Sequence, residues 1–100
     1  MTIARMWESR LHPEAAEQFV AHLSSVAWPA LNAATGFLGG EVYRSADDEH
    51  RAVVVTRWRD EGAARAGADM EARLARFCAR APHAWQFEQV DLGLPGSTAG

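Results

Sequence analysis

Four tryptophans in a chain of 100 residues put an unusual amount of flat aromatic surface into a small protein. Trp58 ends a run of β-branched residues. Its indole ring could stack on a planar ligand, and its N–H could donate to a developing oxyanion. Trp7, Trp28 and Trp85 could complete an aromatic box, with Phe19 and Leu23 as further walls; packing in a small core is the competing reading for each. Arg5 is informative if it points inward, because a buried guanidinium requires a carboxylate or an anionic ligand. A salt bridge to Glu41 or Glu88 is its structural alternative. Tyr43 could donate to a ligand oxygen from an edge strand. His83 is the histidine best placed to accept a proton.

Other chemistries lack their signatures. His12, His22, His50 and His83 show none of the paired spacings that hold a metal, so no metal site is expected. Cys78 has no local partner and reads as a buried structural thiol. Ser24–Ser25 lacks a nucleophile-elbow context. Gly36–Phe37–Leu38–Gly39–Gly40 is followed by neither a basic residue nor a helix N-terminus, so it makes no phosphate loop.

Composition narrows the class further. A net charge of −3 with a pI near 5.7 argues against nucleic acid, which rewards clustered basic surface. A solitary cysteine suits a reducing compartment. No apolar run approaches the roughly 20 residues that span a bilayer, and Met1–Thr2–Ile3–Ala4–Arg5 lacks a signal-peptide core. The expectation is a cytoplasmic protein with no nucleic-acid or membrane partner.

The elements that must position these residues follow from periodicity. Thr2 to Arg10 alternates and reads as a strand. Pro13 suits a first helical position. Ala16, Phe19, Val20, Leu23, Val26, Ala27, Ala30 and Leu31 then mark one helix face, with Pro29 expected to kink or end the regular part. Thr35–Gly36 breaks the chain. Phe37 to Ser45 is a second strand with a bulge or close backbone approach at Gly39–Gly40. Ala46–Asp47–Asp48–Glu49 turns into a third strand, His50 to Trp58, whose Val53–Val54–Val55–Thr56 is the strongest strand signal present. Alternation puts Val54, Thr56 and Trp58 on one strand face and Val55 and Arg57 on the other. Asp60 is placed to cap a helix running toward Arg80, with Ala63, Ala66 or Gly67, Met70, Leu74, Phe77 and Ala81 inward. Arg65, Asp69, Arg73, Arg76 and Arg80 form its solvated face. His83 to Leu92 is a fourth strand, and residues 93–100 are composed like a disordered tail.

The order β-α-β-β-α-β predicts an α+β, ferredoxin-like domain over residues 1–92, with a four-stranded antiparallel sheet and two helices on one face. The other face would carry Met6, Val53 and Val55, too apolar to leave in water. A second copy covering it makes the chain a symmetric homodimer joined sheet to sheet.

With these elements the chain resembles the antibiotic biosynthesis monooxygenase family of the dimeric α+β barrel superfamily. The likeness rests on Ile3–Ala4–Arg5–Met6–Trp7, Gly36–Phe37–Leu38–Gly39, Thr56–Arg57–Trp58–Arg59–Asp60 and His83–Ala84–Trp85–Gln86–Phe87–Glu88–Gln89–Val90. It implies oxidation of anthrone- or hydroquinone-like aromatic substrates to quinones with O₂ and no cofactor. It also implies a pocket between helices and sheet, lined from strands one and three. On that pattern Trp58 and Arg5 are the catalytic candidates; Trp7, Phe19, Leu23, Trp28, Tyr43, Thr56, His83 and Trp85 are the binding candidates. The sequence departs from the anthrone-oxidising pattern at Val54, where those relatives carry asparagine, and at Ala64, where they carry tyrosine. It departs from the haem-degrading branch too: no histidine lies between Asp60 and Pro82, Phe77 stands near the iron ligand's place, and Trp7 replaces an asparagine. The rival expectation is a non-catalytic dimeric ligand-binding or stress-response module.

Overall fold

β-branched residues dominate Arg51–Trp58, and that segment is an inner strand of the sheet, β3. In the computed structural model, which describes residues 1–48 and 50–93, the other strands are β1 (Ile3–Arg10), β2 (Phe37–Arg44) and β4 (His83–Glu88). They lie in the order β2-β3-β1-β4, and every neighbouring pair is antiparallel. This is the expected ferredoxin-like α+β arrangement, with the helices on one face of the sheet. Ile3, Trp7 and Ser9 of β1 and Ala52, Val54, Thr56 and Trp58 of β3 are buried beneath them. Leu94 to Gly100 of the expected tail, and Glu49 of the hairpin turn, fall outside the described residues.

The first helical stretch departs from its expected form. A 3-10 turn (Pro13–Ala15) leads into α1 (Ala16–His22), a π-helical turn (Leu23–Ala27) and α2 (Trp28–Ala33). Pro29 therefore neither ends nor breaks the helix. A proline ring collides with the carbonyl four residues back, and the chain meets that demand by widening. The Trp28 N–H donates to the Leu23 carbonyl, five residues earlier. The widened turn also resets the phase of the helix. Ala15, Phe19, Leu23, Ala27 and Leu31 are buried in strict steps of four, whereas Val20, Val26 and Ala30, expected inward, are exposed.

β2 carries the expected irregularity. Its pairing with β3 shifts register between Phe37 and Gly39, and Gly39 adopts φ 120°, a conformation that glycine alone takes freely. Gly40 passes so near β3 that a Cβ would lie 2.2 Å from the Val55 carbonyl oxygen. Across the hairpin, the Ser45 hydroxyl accepts from the Asp47 and Asp48 N–H groups.

Asp60 caps α3 (Glu61–Ala72) as expected, its carboxylate accepting from the Ala63 N–H at 2.8 Å. That bond, and Arg59 beside it, hold the carboxyl below the usual range. The helix stops well short of Arg80, because β1 claims the backbone beyond it. The His12 N–H donates to the Phe77 carbonyl, the Ala79 N–H donates to the Arg10 carbonyl, and Cys78 bridges Leu11. Cys78 is half-buried, and burial pushes its thiol up. β4 likewise ends at Glu88 rather than Leu92: its partner β1 starts at Ile3, and the Gln89 N–H to the Thr2 carbonyl is the last rung available.

Gly67 fixes the distance between α3 and the sheet. A Cβ there would stand 2.9 Å from the Trp58 Nε1 and 3.1 Å from two ring carbons. The indole cannot yield, since its N–H is tied to the Thr56 hydroxyl at 2.8 Å. Gly67→Ala should therefore lower the melting temperature, overpacking of about 1–3 kcal/mol outweighing a helix-propensity gain of about 1 kcal/mol. Gly62→Ala, on the same helix, where a Cβ would meet only the Asp60 carboxylate at an ordinary contact distance of 3.5 Å, should raise it. Thermal unfolding of the two variants checks this; a higher melting temperature for Gly67→Ala would show that the contact is not limiting.

Candidate functional site

The helix face that does not press on the core borders a groove. Val20, Ser24, Trp28 and Asn32 follow one another in steps of four and, with Leu23 and Pro29, line a cavity of about 420 Å³ closed on the sheet side by Val42 of β2. In a regular α-helix such a row would wind away by about 40° per step. The π turn has more residues per turn and brings it back into line. Trp28 is half-buried, its ring set edge-on to Phe37 at 6.2 Å, and Phe37 in turn tilts against Trp58 at 5.1 Å. The Ser24 hydroxyl donates to the Ala21 carbonyl. Asn32, on the last turn of α2, is exposed, and among the described residues its amide has no hydrogen-bond partner. The groove is thus an apolar slot with one free amide at its rim.

This is not the expected pocket. The faces of β1 and β3 that should line it are filled by their own side chains. Trp7 and Trp58 are 1% and 0% exposed, and Trp7 stacks on Phe19 at 5.8 Å. Neither tryptophan, nor Phe19 or Thr56, borders the groove. The Trp7 indole N–H is buried, and among the described residues it has no partner. Of the binding candidates only Leu23 and Trp28 reach the groove. Val20, Ser24, Pro29, Asn32 and Val42 were not foreseen; the four-residue spacing from Val20 to Asn32 was the legible signal.

Arg5 has a different partner from either carboxylate expected. Its Nε and Nη2 donate to the two oxygens of Glu71 on α3, at 2.9 and 2.7 Å, and its Nη1 donates to Gln86 of β4 at 2.8 Å. The Arg5 and Glu71 side chains are only 14% and 6% exposed. The hydrogen bond to Glu71 raises the Arg5 pKa against the opposing effect of burial. Three of the guanidinium's five N–H groups tie β1 to α3 and β4. Glu71 went unnoticed in the sequence, although it lies four residues after Gly67 and three before Leu74, on the inward face.

Tyr43, His83 and Trp85 lie on the opposite side of the molecule, the sheet face that bears no helix. Cross-strand partners place Trp85, Met6, Val55 and Glu41 in one rung, and His83, Glu8, Val53 and Tyr43 in the next. Met6, Tyr43, Trp85 and Phe87 are exposed there. Charged pairs rim them: Arg57 grips Glu41 with two bonds of 2.5 and 2.6 Å and holds its carboxyl below the usual range. On the other side, Glu8 is shared by Arg51 and the His83 Nδ1, each at 3.3 Å. Among the described residues no three His, Cys, Asp or Glu side chains converge as metal ligands. Nor is any described helix long and apolar enough to cross a membrane.

Sheet order, helix placement and the groove between them define a small ferredoxin-like α+β domain. The chain belongs to the antibiotic biosynthesis monooxygenase family, whose model matches residues 2–85. Among solved structures it resembles the Rv0793 protein of Mycobacterium tuberculosis, at 20% identity, covering 91% of this chain and 97% of that one with a TM-score of 0.74. It also resembles a variant of SnoaB, a cofactor-independent oxygenase of Streptomyces nogalater, at 18% identity, 86% and 90% coverage and a TM-score of 0.71. A third is NE2512, a protein of unknown function from Nitrosomonas europaea, at 19% identity, 94% coverage of each chain and a TM-score of 0.73. At these identities the likeness is one of fold. No curated protein matches the sequence significantly.

Removing one partner of the Arg5–Glu71 pair strands the other charge in a part-buried site, and the cost lies at the low end of the about 3–5 kcal/mol for breaking a buried pair. Glu71→Gln should lower stability by about 3 kcal/mol, whereas the double variant Arg5→Met/Glu71→Met should recover most of that loss. Denaturant unfolding of the three proteins measures it. A Glu71→Gln protein as stable as the parent would mean that the pair is not structural.

Proposed function

We propose that this chain is a cofactor-independent monooxygenase acting on a small aromatic substrate, with the Trp28 groove as its substrate site. Two observations support the reading: family membership, and an apolar groove with a flat aromatic wall. The groove's volume falls within the range of about 300–1,000 Å³ usual for small-molecule sites. For an anthrone-like substrate, the methylene carbon between the rings would lose two hydrogens and gain one oxygen atom as a carbonyl. The second atom of O₂ would leave as water. The deprotonated substrate is electron-rich enough to supply the electrons, so the protein's part is to orient it and keep water from its face. Trp28, Pro29 and Val42 take the orienting role. Trp58 supports them from behind through Phe37 as a positioning residue, and Arg5 holds the sheet to α3.

The homodimer is part of the same proposal. Met6, Val53, Val55, Trp85 and Phe87 form an apolar field rimmed by ion pairs, the anatomy of an interface. Met6→Glu/Trp85→Ser changes exposed side chains only. It should turn a dimer into a folded monomer in analytical ultracentrifugation; a parent protein that sediments as a monomer at tens of micromolar would sink the dimer.

A second reading, a binding module without turnover, is favoured by one observation. The positions where oxidising relatives carry polar groups are here Val54 and Ala64, each 1% exposed in the core. Oxygen consumption with a panel of anthrones and hydroquinones, without added cofactor, separates the two. Uptake that scales with protein, and falls about tenfold in Trp28→Ala, is expected of the enzyme. Binding without uptake across the panel would leave the module.

A further inference from the structure

We infer that the cavity between α3 and β4 is a second binding site, for a small molecule that carries a single carboxylate. β3 and β1 separate it from the Trp28 groove at β2, and it does not depend on how that groove is read.

The cavity, of about 390 Å³, opens where α3 packs on β1 and β3 and leaves β4 uncovered. Gly62 and Ala68 are too short to fill it. Its polar side chains present donors, with one exception. Arg5 uses three N–H groups on Glu71 and Gln86, which leaves one on each terminal nitrogen. A solvated arginine offers donors that move with its chain. Here the side chain is 14% exposed and held by two partners, so the remaining N–H groups are already ordered before anything binds. Gln86 turns its amide oxygen to Arg5, since a guanidinium only donates, and its N–H₂ has no partner among the described residues. Arg65 is exposed on the wall of the same cavity. The exception is Glu61. It stands four residues before Arg65, the spacing of a helical ion pair, yet among the described residues neither has an ion-pair partner.

Glu71 already neutralises Arg5, so Arg65 supplies the unbalanced positive charge. A carboxylate would accept from the ordered Arg5 and Gln86 N–H groups and set its own charge against Arg65. A phosphate dianion would bring a second negative charge with Glu61 on the same wall, and would be disfavoured. The bound carboxylate would join α3, β1 and β4 at one point. β4 pairs with β1 alone, so it would be steadied most.

The test uses butyrate, butyramide and propyl phosphate as probes: a carboxylate, its neutral isostere and a dianion on the same propyl chain. Dissociation constants come from the shift of the Gln86 side-chain amide resonances in two-dimensional NMR, at low ionic strength and about pH 8, where the phosphate carries close to two charges. Butyrate should bind about tenfold more tightly than butyramide, the scale of one charge-assisted hydrogen bond, and more tightly than propyl phosphate. Arg65→Gln should weaken butyrate about fivefold, and Glu61→Gln should strengthen it. Both residues are exposed, and unchanged melting temperatures would show that both variants fold. Saturating butyrate should also slow hydrogen exchange of the β4 amides paired with β1, and leave the Trp28 indole resonance in place. The inference is overturned if butyrate leaves the Gln86 amide unshifted, or if Arg65→Gln binds it as well as the parent does. Tighter binding of propyl phosphate would overturn the carboxylate assignment. A butyrate shift at Trp28 in place of Gln86 would put the ligand in the groove and sink the second site.

Discussion

A helix that must hold one face against a sheet for four successive four-residue steps cannot remain a regular α-helix. Each such step overshoots a turn by about 40°, and by Leu31 the face begun at Ala15 would have rotated off the core. The π turn at Leu23–Ala27 removes that drift. Pro29 fixes where the widening occurs, because its ring cannot tolerate the carbonyl that a tight turn would bring against it. Two rows depend on this. One, from Ala15 to Leu31, closes the core; the other, from Val20 to Asn32, borders the groove.

The second helix is held by different means. Trp58 lies flat beneath Gly67, and its N–H is satisfied inside the sheet by Thr56, so the helix can approach without burying an unpaired donor. Arg5 and Glu71 then join β1 to α3 with a two-pronged pair, and Gln86 extends the join to β4. Such a pair contributes little net stability once desolvation is counted, but it fixes which carboxylate meets which cation. β4 needs that tie. All six of its residues are exposed, and only β1 pairs with it.

Strand identity, order and facing were readable from the alternation of Val54, Thr56 and Trp58 and from the caps at Pro13 and Asp60. Helix ends were not. α3 stops at Ala72, and β4 at Glu88, because of hydrogen bonds to residues far away in sequence, and no local pattern records those. The phase of the first helix was misread for a related reason: Val26 and Ala30 fit an unbroken 3.6-residue period, and one widened turn put them outside. The placement of the candidate site residues was the least legible. Tryptophans drew attention by their size, yet Trp7 and Trp58 are core while Trp85 faces away from the helices. Glu71 and Asn32 looked unremarkable because each is a single polar residue in an otherwise ordinary helix.

The departures at Val54 and Ala64 become intelligible in this geometry. Both lie in the packed layer with Trp7 and Trp58, each 1% exposed, where the longer side chain of an asparagine or tyrosine would have to displace packed neighbours. A chain that fills this layer with Trp7 and Trp58 cannot also keep a ligand there. The space left between helix and sheet lies outward, along β2, where Val42 and the widened helical turn stand on opposite walls of the groove. Closing the inner pocket and opening the outer groove are therefore one change in packing.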